Sequence, residues 1–365
     1  MNDFPHLTTP ALLVDRAIVE RNCASMREKA AASGVIFRPH AKTHKTIEIA
    51  RMQHGGGIGP MTVSTFAEAE QLAGAGFRDI TYAVPIAPEK LDRAAKLGAK
   101  LEHFNILIDS ADALQAVESF ARAHGVAFDV FLKVDCGYHR AGVDPDRPES
   151  EELARQIELS HAVRFRGLLT HAGHSYHART IHEIRDVGLD ERSAVTRFRD
   201  RLGFSLVRSI GSTPTATVVD RFEECDEVRP GNYVFFDAFQ ATIGSCRLHD
   251  VAVSVLTTVI GSYPERQAMI VDAGALALSK DLGPDHIDPR FGYGIVCDLS
   301  LKPLPMKIHA LSQEHGKVSA HNPLPVGTRL RIIPNHSCLT AAMYDAYAVI
   351  ERGSVVDEWS PVRGW

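Results

Sequence analysis

The chain has 365 residues, a formal net charge of −5, and a composition that is 45% hydrophobic and 23% charged. This composition is typical of a folded globular protein with room for one large domain and a smaller one. The mild negative charge, without any basic block, argues against nucleic acid or an anionic membrane as the main partner. No apolar run reaches the roughly 18 residues of a membrane span, and the first residues lack a signal pattern, so we expect a cytoplasmic protein.

Short apolar runs alternate with helix-like stretches through residues 35–234. The predicted strands are Val35–Phe37, Met61–Val63, Asp79–Val84, His103–Ile108, Phe128–Val134, Phe165–Thr170, Leu206–Ile210 and Glu227–Val234. The clearest predicted helices are Phe66–Ala75, Pro88–Leu97, Ser110–His124, Glu151–Leu159 and Ile181–Leu202. Eight strand–helix units predict an α/β fold of the (β/α)8 TIM-barrel type, with a doubly wound open sheet as the alternative.

The pattern changes near residue 243, after which strands follow one another with few helices. These predicted strands are Asp250–Gly261, Gln267–Asp272, Met306–Gln313, Thr328–Pro334 and Tyr347–Glu351. Turns rich in Gly and Pro separate them, which is typical of an antiparallel β domain. We therefore predict a barrel over residues 13–242 and a β domain over residues 243–365 joined by residues 1–12.

Two lysines and two histidines follow the first predicted strand, in the stretch Arg38–Lys45. In α/β folds, ligands bind beyond the C-terminal ends of the strands. A lysine desolvated there has a lowered pKa, so its amine can attack a carbonyl group. The alternative is an ordinary basic surface loop.

Two later loops have the composition of a phosphate site. The stretch Gly211–Thr215 follows the seventh predicted strand, and Pro230-Gly231-Asn232 lies at the eighth. TIM barrels often bind phosphate with the backbone N–H groups of these two loops, although each turn alone is a weak signal. A lysine nucleophile, a phosphate site, arginines and histidines together predict pyridoxal 5′-phosphate as the cofactor.

A second group of reactive residues lies far downstream, where His336 and Cys338 follow a predicted strand. Two positions apart in extended backbone, their side chains point the same way. Imidazole and thiolate favour zinc, and two protein ligands leave positions for water or substrate. The alternative is a buried cysteine beside a turn histidine.

Taken together, these motifs resemble the D-serine dehydratase and D-threonine aldolase family of alanine-racemase-like, fold-type-III enzymes. The resemblance covers essentially the whole chain. The motifs that carry it are Arg38–Lys45, the segment starting at Thr65, Gly137–Gly142, His171–Tyr176, Glu227–Tyr233, Gln313–Gly316 and Pro334–Cys338.

The resemblance implies a role for each matching residue. Lys42 would form the Schiff base and act as base, whereas Lys45 would be a surface or supporting charge. The remaining implied cofactor contacts are Arg140 at the phenolic oxygen, His171 stacked on the ring, Tyr176 in the pocket, Arg229 at the pyridine nitrogen, and Ser212, Thr213, Gly231 and Asn232 around the phosphate. His336 and Cys338 would act in catalysis by binding a divalent metal, with zinc favoured over manganese or magnesium.

The family resemblance also implies a homodimer and a small-molecule D-3-hydroxy amino acid as substrate. We favour dehydration of D-serine, D-threonine or 3-hydroxy-D-aspartate to a 2-oxo acid and ammonia, because His-x-Cys resembles the dehydratases. Retro-aldol cleavage to glycine and an aldehyde is the main alternative. An amino-acid racemase, hinted at only by Tyr293, and a non-catalytic cofactor carrier are the others.

Overall fold

The computed structural model describes residues 4–365. In chain order, its strands are β1 (Ala11–Asp15), β2 (Ile36–Phe37), β3 (Met61–Val63), β4 (Asp79–Pro85), β5 (His103–Ile108), β6 (Phe128–Lys133), β7 (Val163–Leu169), β8 (Val207–Ile210), β9 (Glu227–Val228), β10 (Val253–Tyr263), β11 (Ala268–Val271), β12 (Ile295–Cys297), β13 (Pro303–Leu311), β14 (Gly316–Ala320), β15 (Arg329–Ile333), β16 (Tyr347–Glu351) and β17 (Ser354–Trp359). Its helices are α1 (Arg16–Ser33), α2 (Ile47–Gln53), α3 (Phe66–Gly74), α4 (Leu91–Gly98), α5 (Ala111–His124), α6 (Pro148–Leu159), α7 (Ile181–Leu202), α8 (Thr213–Thr217), α9 (Ala238–Thr242), α10 (Ala275–Leu278) and α11 (Ser337–Ala341).

The chain divides into two units. The α/β unit comprises residues 24–231 and 362–365, and the β unit comprises residues 232–361 with the described part of residues 1–23. The chain passes from the β unit to the α/β unit within α1, and it returns to the β unit directly before Asn232. The predicted domain boundaries lie after residues 12 and 242 and stay a prediction.

The α/β unit contains one sheet of eight parallel strands, in the order β2-β9-β8-β7-β6-β5-β4-β3. An isolated parallel bridge between His40 and Thr62 joins the segment beyond β2 to β3, at the two ends of this order. The predicted alternation of parallel strands and helices is confirmed. Because all the strands are parallel, their C-terminal ends share one edge, and the predicted site residues of this unit follow those ends.

Local caps are present at the ends of several helices of this unit. The Thr65 and Ser110 side chains accept hydrogen bonds from the backbone N–H of Glu68 and Ala113, as expected of N-caps. For α7, Thr180 accepts from Glu183 N at 3.2 Å, and Gly203 ends the helix with a φ of 71°. The observed bounds of α7 equal the predicted ones.

One predicted strand is wrong at its C-terminal end. Residues 227–234 were predicted as continuous, but β9 ends at Val228 and residues 232–234 form a 3-10 turn. Pro230 has no backbone N–H to donate to a neighbouring strand, so pairing stops before it.

The β unit contains a nine-stranded sheet in the order β11-β14-β13-β12-β15-β10-β1-β16-β17, and β11 pairs with β10 as well. All pairs are antiparallel except β1 with β16, so the predicted antiparallel β domain is confirmed. The strands β1, β12, β14 and β17 were not predicted. β12 has three residues, and β17 has five exposed residues of six, so neither shows a burial alternation. Within residues 4–365, no helix combines the length and apolarity needed to cross a membrane.

Candidate active site

The lysine-bearing loop is a short 3-10 turn, Ala41–Thr43, directly after β2. His40 caps this turn, because its Nδ1 accepts the backbone N–H of Lys42 at 3.3 Å. Its other nitrogen, Nε2, lies 3.3 Å from Ser64 Oγ. An imidazole that accepts at Nδ1 carries its proton on Nε2, so the His40 ring is fixed as one neutral tautomer. Burial, followed by the charges of Lys42 and Arg229, lowers the pKa of His40 well below its ordinary value.

The two lysines of this loop differ in their surroundings. The Lys45 ammonium pairs with the carboxylate of Glu68, a residue that is only 1% exposed. Glu68 also accepts the backbone N–H of Ser64 at 2.8 Å. This ion pair commits the Lys45 side chain to Glu68, which fits the predicted supporting charge. Lys42 stays the predicted nucleophile.

His171, at the end of β7, is held through its Nδ1, which lies 2.6 Å from the carbonyl oxygen of Gly211. Because a carbonyl oxygen only accepts, Nδ1 carries the proton and Nε2 a lone pair. Burial and the nearby Lys42 and Lys133 lower the pKa of His171 well below its ordinary value. The ring is thus neutral and fixed in orientation.

Cationic side chains accumulate at this edge of the sheet. Burial, followed by Arg229, lowers the pKa of Lys133 to about 8. Burial lowers the pKa of Arg229 to about 10, and its guanidinium donates to Ser209 Oγ and the carbonyl of Thr170. Arg140 is exposed, with its guanidinium 5.2 Å from the ring centroid of Tyr138, and its charge reaches His171.

The loop after β8 approaches other backbone closely. A Cβ on Gly211 would lie 2.8 Å from Arg229 N, and the φ of Gly211 is +153°, so a side chain is excluded there. Ser212 caps α8, and its Oγ lies 3.0 Å from Ser175 Oγ. Thr213 is buried beside it. A Cβ on Gly231 would lie 3.0 Å from His40 Cβ, so Gly231 lets the Pro230 loop pass close to the lysine turn.

Glu191, in the middle of α7, connects two of these loops. Its Oε1 accepts the backbone N–H groups of Ala172 and Gly211, each at 3.0 Å, and its Oε2 accepts from Thr215 Oγ1 at 3.4 Å. Glu191 is fully buried. It was not among the predicted site residues, although a charged residue on the apolar stripe of a predicted helix was a signal for it. Lys133 was also not among the predicted site residues. Its signal was a charged residue at the C-terminal end of a buried strand.

The structure gives the surroundings of two more predicted cofactor contacts, Asn232 and Tyr176. The Asn232 amide donates at 2.8 Å to both Asp237 Oδ2 and Ser337 Oγ, within the β unit, and lies 3.7 Å from Cys338 Sγ. These contacts commit the side chain of Asn232 to partners within the β unit, so its predicted role at a phosphate stays a prediction. Tyr176 is half-buried in the 3-10 turn Gly173–His177.

The second group lies in the β unit, where β15 leads into α11. His336 occupies the N-cap of α11, and Cys338 lies in its first turn. The Nδ1 atom of His336 is 2.9 Å from Asp281 Oδ2, and the Cys338 side chain also hydrogen-bonds to His336. Burial opposes a charge on His336, but Asp281, Cys338 and Asp237 outweigh it and raise its pKa well above the ordinary value. The structure brings His336 and Cys338 together, but the predicted extended backbone is wrong, because only His336 is extended and Cys338 already lies in α11.

Among residues 4–365, no three His, Cys, Asp or Glu side chains converge as a metal-binding group. His336 and Cys338 therefore stand as a pair of candidate ligands. Asp281 contacts the ring of His336 rather than joining them.

Comparison with known proteins places the chain among its relatives. Residues 14–238 match the family described as alanine racemase, N-terminal domain, and residues 252–350 match the putative serine dehydratase domain. D-threo-3-hydroxyaspartate dehydratase of Delftia sp. (strain HT23) is 39% identical, with 98% of each chain covered. D-serine dehydratase of Dictyostelium discoideum is 38% identical, covering 100% of this chain and 99% of the relative. D-threonine aldolase of Arthrobacter sp. is 29% identical over 96% of this chain and 91% of the relative.

Solved structures agree with these relatives. A D-threo-3-hydroxyaspartate dehydratase with a cysteine replaced by alanine, in the metal-free form, has a TM-score of 0.93 at 38% identity, covering 98% of both chains. A second structure of D-threo-3-hydroxyaspartate dehydratase has a histidine replaced by alanine, two positions before that cysteine. Its TM-score is 0.93 at 38% identity, covering 98% of this chain and 96% of the other. An alanine racemase of Clostridium difficile 630 has a TM-score of 0.69 at 12% identity, covering 98% of this chain and all of the other, which shows the fold alone.

Proposed function

Because this chain belongs to the family that contains D-threo-3-hydroxyaspartate dehydratase and D-serine dehydratase, we propose that it is a pyridoxal-phosphate-dependent lyase that dehydrates D-3-hydroxy amino acids. The predicted family, the alanine-racemase-like fold and the predicted class of enzyme are confirmed by that membership. The proposed substrates are D-serine, D-threonine or 3-hydroxy-D-aspartate. The proposed products are a 2-oxo acid and ammonia.

One observation favours dehydration over aldol cleavage. The two dehydratases are 38–39% identical to this chain along its whole length, whereas the D-threonine aldolase is 29% identical. The predicted ligand pair agrees with this, because the His336-x-Cys338 spacing resembles that of the dehydratases. Retro-aldol cleavage stays the second candidate, since the same family contains it.

The residues of the α/β unit fit pyridoxal phosphate. Lys42, Lys133, Arg140 and Arg229 lie close enough to shift the pKa of neighbouring histidines or of one another, which is the electrostatic environment that an anionic cofactor needs. Gly211 and Gly231 keep two loops free of side chains at close approach. We propose that Ser212, Thr213 and Gly231 hold the phosphate. When bound, the cofactor would supply an electron sink for the bond that breaks at Cα.

The chain's own residues then have distinct proposed roles. Lys42 would hold the cofactor through its aldehyde and would act as the base at Cα. His171 presents a neutral ring whose orientation Gly211 fixes, and it would stack on the cofactor ring, with Tyr176 and Arg140 as further proposed contacts. Arg229 would face the pyridine nitrogen. Because an arginine keeps its proton at neutral pH, it leaves that nitrogen unprotonated.

The β-unit residues fit a divalent metal, with zinc favoured. His336 and Cys338 provide imidazole and thiolate, a donor set that zinc prefers. Two solved relatives have a histidine and a cysteine, with the same two-residue spacing, replaced by alanine, and one of them is metal-free. We propose that these two residues bind a metal that would supply a Lewis acid for the β-hydroxyl group.

Three further expectations belong to this proposal. The bridge between His40 and Thr62 joins both ends of the strand order, which supports a closed (β/α)8 barrel. A homodimer and a cytoplasmic location stay predictions.

The structure narrows the choice of side-chain partner for 3-hydroxy-D-aspartate. His44, His177 and Arg179 are the basic loop residues that could pair with its second carboxylate. His44 is fully buried, accepts the backbone N–H of Thr46 at 3.1 Å, and has its pKa lowered to about 3, chiefly by burial. The His44 imidazole is enclosed and carries no charge that would attract a substrate carboxylate. His177 and Arg179, which are both exposed, are therefore the better candidates.

The test is to supply the full chain with pyridoxal phosphate and zinc and to incubate it separately with the three D-amino acids and their L-enantiomers. Dehydration predicts ammonia with pyruvate from D-serine, 2-oxobutyrate from D-threonine, or oxaloacetate from 3-hydroxy-D-aspartate. Glycine with an aldehyde or glyoxylate would instead establish the aldolase. Racemised amino acid without ammonia would overturn both.

A further inference from the structure

Asp281 lies at the start of the loop between α10 and β12, 55 residues before His336 in the chain. Its Oδ2 is 2.9 Å from Nδ1 of His336. A carboxylate at that position accepts a hydrogen bond from Nδ1–H, so in the neutral imidazole the lone pair lies on Nε2. Nε2 is then the nitrogen that is available to a metal.

Asp281 is itself held firmly in place. Its Oδ1 accepts the backbone N–H of Gly283 at 2.7 Å, so both carboxylate oxygens are used. The Asn335 amide donates to the carbonyl oxygens of Asp281 and Gly292, at 2.9 and 2.8 Å. Asn335 is buried and directly precedes His336 in the chain. The loop that carries the carboxylate is thereby tied to the residue next to the imidazole that it orients.

The geometry also distinguishes Asp281 from a third metal ligand. Its carboxylate is on the Nδ1 side of the ring, and no group of three candidate ligands exists among residues 4–365. On the other side of the pair, Asp237 Oδ2 accepts the backbone N–H of Ser337 at 2.9 Å, which fixes the turn between His336 and Cys338. Each candidate ligand therefore has a carboxylate that secures its position.

We propose that Asp281 is the positioning residue of the metal centre, holding His336 with Nδ1 protonated so that Nε2 faces the metal. This inference rests on the proposed function, in which His336 and Cys338 bind that metal. A hydrogen-bonded carboxylate behind a ligand histidine orients the ring and raises its basicity, and its loss typically weakens metal binding about 10- to 100-fold.

The test is a titration of the metal-stripped full chain with Zn²⁺ against a chelating dye. Asp281→Asn keeps the shape of the side chain, and Asp281→Ala removes it. Both should weaken zinc binding by about 10- to 100-fold. Asp285→Asn, an exposed acid on the same loop with the same change of charge, should bind zinc as the unaltered chain does. At saturating Co²⁺, the visible spectrum of Asp281→Asn should shift, because the imidazole is a weaker donor without its carboxylate, whereas a loosened loop alone would leave the saturated spectrum unchanged.

Zinc affinity and a cobalt spectrum in Asp281→Asn that both equal those of the unaltered chain would overturn the positioning role while leaving the metal site intact. Tight zinc binding that survives His336→Ala would place the metal elsewhere and overturn both the site and this inference. An unaltered chain that binds no zinc would do the same. The cofactor absorbance band should be equal in all variants, which separates this result from any failure of the pyridoxal phosphate assignment.

Discussion

The same residue type has opposite electrostatic surroundings in the two units of this chain. In the α/β unit, burial and the cations Lys42, Lys133 and Arg229 lower the pKa of His40 and His171 well below the ordinary value. In the β unit, burial acts in the same direction on His336, but Asp281, Cys338 and Asp237 raise its pKa well above that value. The pKa shifts of these histidines thus have opposite signs, because His40 and His171 lie among cations whereas His336 lies among anions.

This difference indicates what each region can bind. A cluster of cations with neutral histidines suits an anionic group such as a phosphorylated cofactor, which would offset their mutual repulsion. A histidine and a cysteine backed by carboxylates suit a metal cation, which would replace the proton on the imidazole. The comparison therefore predicts that each region responds to the loss of its own ligand independently of the other.

The largest expected effect is at Lys42. Lys42→Ala should abolish both the near-visible absorbance band of the lysine-bound cofactor and the lyase activity, because no other residue would hold the aldehyde. Lys45→Gln is the matched control, since it removes a lysine charge three residues away but keeps a hydrogen-bond donor for Glu68. Persistence of the band in Lys42→Ala, or its loss in Lys45→Gln, would show that the wrong lysine has been assigned.

The second effect is at Cys338. Cys338→Ala should lose tightly bound zinc and reduce activity to background while keeping the cofactor band, as should removal of metal by a chelator. Cys246→Ala, at another half-buried cysteine, should retain both zinc and activity. Metal analysis and absorbance spectra check this, and full activity without metal would contradict a catalytic metal.

The third effect concerns the buried carboxylate of the cationic region. Glu191→Ala leaves the backbone N–H groups of Ala172 and Gly211 buried without their acceptor. We expect the free energy of unfolding to fall by about 2–6 kcal/mol, from roughly 1–3 kcal/mol for each of the two orphaned donors. Glu191→Gln keeps an oxygen for these donors and should cost less. Urea denaturation measures both, and equal stability of Glu191→Ala and the unaltered chain would contradict the role of Glu191.

The smallest effect is a pH dependence from His44. Its pKa is about 3 in the folded chain against an ordinary 6.5, so the unfolded chain binds the proton first as the pH falls. The stability that depends on neutral His44 is complete above pH 6.5 and is lost progressively between pH 6.5 and 3, with a slope of at most about 1.4 kcal/mol per pH unit. His44→Asn should flatten the fall in unfolding free energy between pH 6.5 and 4.5. His161→Asn, at an exposed histidine, should not, and equal slopes in both variants would exclude His44 as the cause.

Much of the fold and part of the site could be predicted from local sequence. The bounds of α7 and the caps at Thr65 and Ser110 depend on residues within one helical turn, so a short window contains the necessary information. The loop with Lys42 and Lys45 could be identified because a strand end and its following loop are contiguous in the chain, and the family resemblance selected Lys42. The end of β9 was missed because hydrophobicity continues through a proline that stops the pairing.

The amino-acid sequence by itself determined the alternation of strands and helices, the later antiparallel β region, the candidate lysine and the His336–Cys338 pair. Only the tertiary structure decided which side chains accompany them: Glu68 beside Lys45, Glu191 between two loops, and Asp281 behind His336. Local patterns record the propensity and burial of neighbouring residues, whereas each of these partners lies some twenty or more residues away. Their pairing depends on how the whole chain folds back on itself, and buried polar groups are stable there only because the fold supplies those partners.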